Sequence, residues 1–205
     1  MNSLTIKREN GNVARSLAGK DHVSGLIAYI NQDDIPTEFY ANKIKALSTI
    51  DAAEAAGITE SNAAWSIRVL HYQLTQIYRL NDGVELYVGL FPKTENKTFN
   101  EIKTVQNYSN GACRQIAIWD GMTEPTAANI ALLNSVADAL DLENAPLSIL
   151  YAPLVKNYKT LPSNLAVSYN RVSVIIAQDG EGTAASLYTD ATSNKAKYTV
   201  SAIGI

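Results

Sequence analysis

The strongest constraint on how this chain folds is an alternation. Short apolar, β-rich segments begin at Val84, Arg114, Leu147 and Val172, and stretches of helical periodicity separate the first three. Parallel strands cannot be joined by tight turns; they need long crossovers, usually helical, which come to lie on the faces of the sheet. The pattern predicts an α/β fold: an open, mainly parallel, doubly wound sheet with helices on both faces.

Strands are expected over residues 23–30, 84–91, 114–119, 147–151 and 172–177. The segment 84–91 has so little polarity that it reads as buried on both faces. A first helix opens at Ser48-x-x-Asp51, which has the form of a capping box. It continues through Ala52, Ala53, Ala55 and Ala56 to a stop at Gly57. A longer helix is expected over 61–80, where Ile67, Leu70, Leu74 and Ile77 share one face, ending at Asn81-Asp82-Gly83. Thr98-x-x-Glu101 opens a third helix, with Phe99, Ile102 and Val105 on one side, up to the Asn110-Gly111 break. A fourth begins near Pro125 and aligns Ile130, Leu133, Ala137 and Leu140. Residues 154–170 carry no clear helical pattern and read as a long surface connection.

The two ends of the chain read differently. Residues 3–7 alternate, with Leu4 and Ile6 on one side, as in a half-buried strand, and an Asn10-Gly11 turn follows. At the other end Val200, Ala202, Ile203 and Ile205 are apolar with no helix stop after them. Both segments lack an obvious partner within a domain, so Leu4, Ile6, Ile203 and Ile205 are the expected subunit-interface residues. The division that follows is an arm over 1–22, an α/β domain over 23–199, and the start of a further element at 200–205.

Composition narrows the function. The 205 residues carry 17 Lys+Arg against 20 Asp+Glu, a net charge of −3, with no basic cluster of the kind that phosphate backbones require. Nucleic acid is therefore not an expected partner. Met1 to Gly11 is polar and has no apolar signal core, and no apolar run approaches the length of a membrane span. The expectation is a chain that stays in the cytoplasm or joins an assembly, with no membrane partner. The single cysteine, Cys113, allows neither an internal disulfide nor a cysteine-rich zinc site.

Candidate chemistry is sparse. Gln178-Asp179-Gly180-Glu181-Gly182 after the last strand could cradle a phosphate at a helix start, which makes a nucleotide or anion site the alternative reading. It lacks the third glycine of a dinucleotide fingerprint, and Glu181 would repel a phosphate. His22 beside Asp21 could do acid–base work, whereas His71 lies within a helix without the second histidine of a zinc motif. Asp33-Asp34 before Pro36 reads as a turn rather than a cation site. Asp120 and Asp179 both fall at strand ends, the edge where α/β sheets hold ligands, yet Asp-Gly is also a common way to leave a strand. Cys113 has no neighbouring base in sequence. No catalytic set or cofactor emerges, and the chain reads as a non-enzyme.

Several blocks carry a family resemblance. Leu17-Ala18-Gly19-Lys20-Asp21-His22-Val23-Ser24-Gly25-Leu26-Ile27 is similar to the N-terminal region of phage tail-sheath-like proteins. Further similarity follows in order: Leu47 to Gly57, Val69-Leu70-His71-Tyr72 to Arg79-Leu80-Asn81, and Leu86-Tyr87-Val88-Gly89-Leu90. Arg114-Gln115-Ile116-Ala117-Ile118-Trp119 and Arg171-Val172-Ser173-Val174-Ile175-Ile176-Ala177-Gln178-Asp179-Gly180 resemble sheath strands led by "RQI" and ended by "QDG". The resemblance covers most of the chain and implies a structural subunit of a contractile tail or related injection system. It implies partners, namely copies of the same chain and an inner tail tube protein, and no cofactor. It also implies terminal arms that add strands to neighbouring sheets, a further helix and arm beyond Ile205, and a place in the tail of an assembled particle.

Overall fold

The structure, a computed structural model, describes residues 23–81, 84–120, 123–154, 169–176, 183, 186 and 187. The arm over 1–22 and the tail over 200–205, with Leu4, Ile6, Ile203 and Ile205, lie outside the described residues. So do His22, Asp179, the Gly180–Gly182 turn and most of the 154–170 connection.

The expected α/β architecture is present. Elements run in the order β1 (Ser24–Ile30), β2 (Ile44–Leu47), α1 (Ile50–Ala55), α2 (Trp65–Leu80), β3 (Leu86–Pro92), α3 (Asn100–Tyr108), β4 (Gln115–Asp120), α4 (Ala127–Leu142), β5 (Ser148–Pro153) and β6 (Val172–Val174). They form one six-stranded sheet in the order β2-β3-β1-β4-β5-β6. Every pairing is parallel except that of β2, which runs antiparallel along β3. The strand order reverses between β1 and β4, the position where doubly wound sheets open a crevice beyond their carboxyl ends.

Each face has its own core. Leu26, Ala28, Val88, Leu90 and Trp119 pack against α1 and α2 on one side; Ile27, Tyr29, Ile116, Ile118 and Tyr151 pack against α3 and α4 on the other. That two-sided burial explains why the central strands read as continuous apolar runs.

Several boundaries shift for local reasons. The cap of α1 is Thr49, not Ser48: Thr49 Oγ1 accepts from the Ala52 N–H at 3.1 Å. The second helix begins at Trp65 rather than residue 61, because Asn62 Oδ1 takes the Ala64 N–H at 2.9 Å and holds the chain in a turn. Thr98 does not cap α3; Phe99 occupies that position with φ +56 and makes no side-chain cap. β2 was not expected at all. Gln32–Asp34 and Thr37–Phe39 form short 3-10 turns, fully buried Phe39 anchors the second, and the chain then returns alongside β3. The last strand ends at Val174, short of the expected residue 177.

Two glycines set how closely α3 approaches the sheet. A Cβ on Gly25 would stand 3.1 Å from Val105 Cγ1, and one on Gly89 would stand 3.2 Å from Val105 Cγ2 and 2.7 Å from Phe91 Cε2. Val105 thus sits over neighbouring strands β1 and β3. Gly89→Val should overpack this seat and cost about 2–3 kcal/mol. An unchanged urea midpoint would show that α3 does not rest there as tightly as described.

Candidate functional site

At the carboxyl crest, beside the β1/β4 reversal, side chains from several segments converge. Asp120 ends β4 and projects to the α3/α4 side, in step with Ile116 and Ile118. Lys97 comes from the connection between β3 and α3, and its Nζ forms an ion pair with Asp120 Oδ2. Tyr151 of β5 donates its hydroxyl proton to the same oxygen at 3.1 Å. Lys97 Nζ also donates to Thr123 Oγ1 at 3.1 Å and lies 4.8 Å from the centroid of the Tyr29 ring. Tyr29 turns its hydroxyl away from the pair and donates to Glu101 Oε2, in the first turn of α3, at 3.0 Å.

Phe99 closes the cluster. Its ring is fully buried and meets Tyr29 and Tyr151 edge-on, each at 6.0 Å between centroids. Its left-handed backbone is rare for a bulky residue and costs energy that the surrounding packing has to offset. The Lys97 side chain is 1% exposed and that of Asp120 0%.

The electrostatics follow from this enclosure. Burial pushes the Lys97 ammonium below its ordinary range, while Asp120 pulls the other way. Burial and then the Glu101 carboxylate push the Tyr29 phenol up, and burial and then Asp120 do the same for Tyr151. Both phenols are therefore neutral donors at physiological pH. Asp120 Oδ1 is buried without a hydrogen-bond partner. The crest is filled by the chain's own groups: an amine and a carboxyl in contact, sealed by three aromatic rings.

The other residues singled out in the sequence take structural places. Asp34 Oδ2 accepts from Asn31 Nδ2 at 3.1 Å and from Ser66 Oγ at 3.0 Å, tying the loop after β1 to α2. His71 Nε2 stands 2.9 Å from Glu54 Oε1, which joins α2 to α1. It borders a cleft of about 350 Å³ that Arg68, Gln76, Thr183 and Ser186 also line. Trp65 Nε1 donates to the Leu187 carbonyl at 2.8 Å beside that cleft. Cys113 is fully buried at the opposite end of the sheet from the crest, and burial pushes its thiol up, away from the reactive thiolate. Among the described residues, no group of three or more His, Cys, Asp or Glu could hold a metal ion, and no helix is long and apolar enough to cross a membrane.

Of the residues forming the crest, the sequence singles out Asp120 for its strand-end position. Lys97, Tyr29, Tyr151 and Thr123 were missed. A signal was available for the tyrosines, since a phenol within an apolar strand requires a buried hydrogen-bond partner. Nothing in the sequence around Lys97 distinguishes it from a solvated loop lysine.

The chain matches no family model, no curated protein and no solved structure.

Proposed function

We propose that this chain is a structural subunit of a phage-tail-like contractile sheath, assembling with copies of itself around a tube protein. The collinear run of sheath-like blocks, from Leu17 to Gly180, is the observation that carries the reading. The filled crest supports it. Where a doubly wound sheet offers its ligand crevice, this one has a sealed Lys97–Asp120 pair, which suits a load-bearing body better than a substrate site.

The sheet margin supports it as well. β6 is only three residues long, with Val172 and Val174 half-buried, and it has no outer neighbour among the described residues. A strand at a sheet margin can accept an extended segment from another copy. On this reading the terminal arms supply such segments through Leu4, Ile6, Ile203 and Ile205. The protein is cytoplasmic during assembly and becomes part of a particle's tail thereafter.

Negative-stain microscopy and sedimentation velocity of the purified chain test this. Rings or tubes are expected at high concentration, and deletion of residues 1–22 should return the protein to monomers. A chain that stays monomeric at every concentration, including with the tube protein added, would overturn the proposal.

A further inference from the structure

The crest pair carries an inference that does not depend on the sheath reading. We propose that Lys97 Nζ and Asp120 Cγ become joined by an intramolecular amide, a covalent clamp between the β3–α3 connection and the end of β4.

The reactants are already placed. Amine and carboxyl touch, and both side chains are withdrawn from solvent. Holding two reactants in contact raises their effective molarity, to on the order of 10⁵–10⁸ M where they are aligned for attack. Burial lowers the cost of the neutral amine that the reaction needs. One proton moving from the ammonium to the carboxylate across their hydrogen bond converts an ion pair into a free amine and a carboxylic acid.

The rest of the site serves each later step. The proton crosses to Oδ2, so Oδ1 is the carbonyl oxygen; the Nζ lone pair adds to Cγ and forms the C–N bond, while the carbonyl electrons move onto Oδ1. Tyr151 already donates to Oδ2 at 3.1 Å and assists its departure. Tyr29 does not compete, because its proton is committed to Glu101. The carbonyl then re-forms at Oδ1, which becomes the amide oxygen, and the bond to Oδ2 breaks. Oδ2 leaves as water with the proton from the neutral acid and one from Nζ. The ammonium's three protons are accounted for: one stays on the amide nitrogen and two depart in the water. No oxidant, reductant or external group is required. The rings of Tyr29, Phe99 and Tyr151 then shield the new amide from hydrolysis.

Mass spectrometry of the denatured full-length protein decides the matter. The wild-type chain, incubated after folding, is expected to be lighter by one water. After trypsin, cleavage at Lys97 should be blocked and peptide 94–103 should remain joined to peptide 115–156. Lys97→Arg, which keeps the charge but has no attacking amine, should retain its full mass. A wild-type chain of unreduced mass would overturn the proposal. So would a water loss without the joined peptides, as a succinimide at an Asp-Gly step produces, or an equal loss in the Lys97→Arg variant.

Discussion

Asp120→Ala is expected to destabilise the fold by about 3–5 kcal/mol, the range for removing one member of a buried pair and leaving the other charge uncompensated. Lys97 would be left in a site where its side chain is 1% exposed, beside Thr123 Oγ1 and the Tyr29 ring, with burial still disfavouring its charge and Asp120 no longer opposing it. Tyr151 would lose its acceptor as well. The sharper forecast concerns the double variant. Lys97→Met with Asp120→Ala removes both charges, so it should be more stable than Asp120→Ala alone, although it carries one substitution more. Urea unfolding of the two variants reads this order directly. A loss under about 1 kcal/mol in the single variant, or a double variant less stable than the single, would show that the pair is not the buried charge system described. The variant order tests the buried charge, and the mass of the wild-type chain tests the bond.

Phe99 should rank its truncations by backbone as well as by lost packing. Truncation to alanine removes a fully buried ring that meets two tyrosines edge-on, for an expected loss of about 3–5 kcal/mol. Truncation to glycine removes the same ring. Its backbone, however, accepts the φ of +56 without the Cβ clash that alanine retains, a difference of ~1 kcal/mol. Phe99→Gly is thus expected to be more stable than Phe99→Ala, an order that the left-handed φ and the cap position of α3 both favour. Equal midpoints, or alanine the more stable, would mean that the left-handed conformation at Phe99 is not retained once the ring is gone.

The legibility of this chain varied with the range of the forces involved. Helix stripes and apolar strands could be read because each follows a local period. Ile67, Leu70 and Leu74 all proved buried on α2, as did Ile130, Leu133, Ala137 and Leu140 on α4. Gly57 stops α1 with φ +85, as its position suggested. β2 was not legible: Ile44–Leu47 is too short to display a period, and its pairing partner begins almost forty residues later in the chain. The caps moved by a residue wherever two adjacent side chains could each have served, as with Ser48 and Thr49. At the crest, Asp120 could be singled out from its strand-end position, but its partner could not.

The sequence by itself determined the fold class, since apolar segments joined by amphipathic helices have few ways to bury both faces of a sheet. It also determined that Asp120 would stand at a carboxyl strand end. Only the tertiary structure decided that Lys97 meets Asp120, because that contact joins the β3–α3 connection to the end of β4, 23 residues further along the chain. Such a contact is fixed by close packing between separate segments, and hydrophobic periodicity carries no record of it.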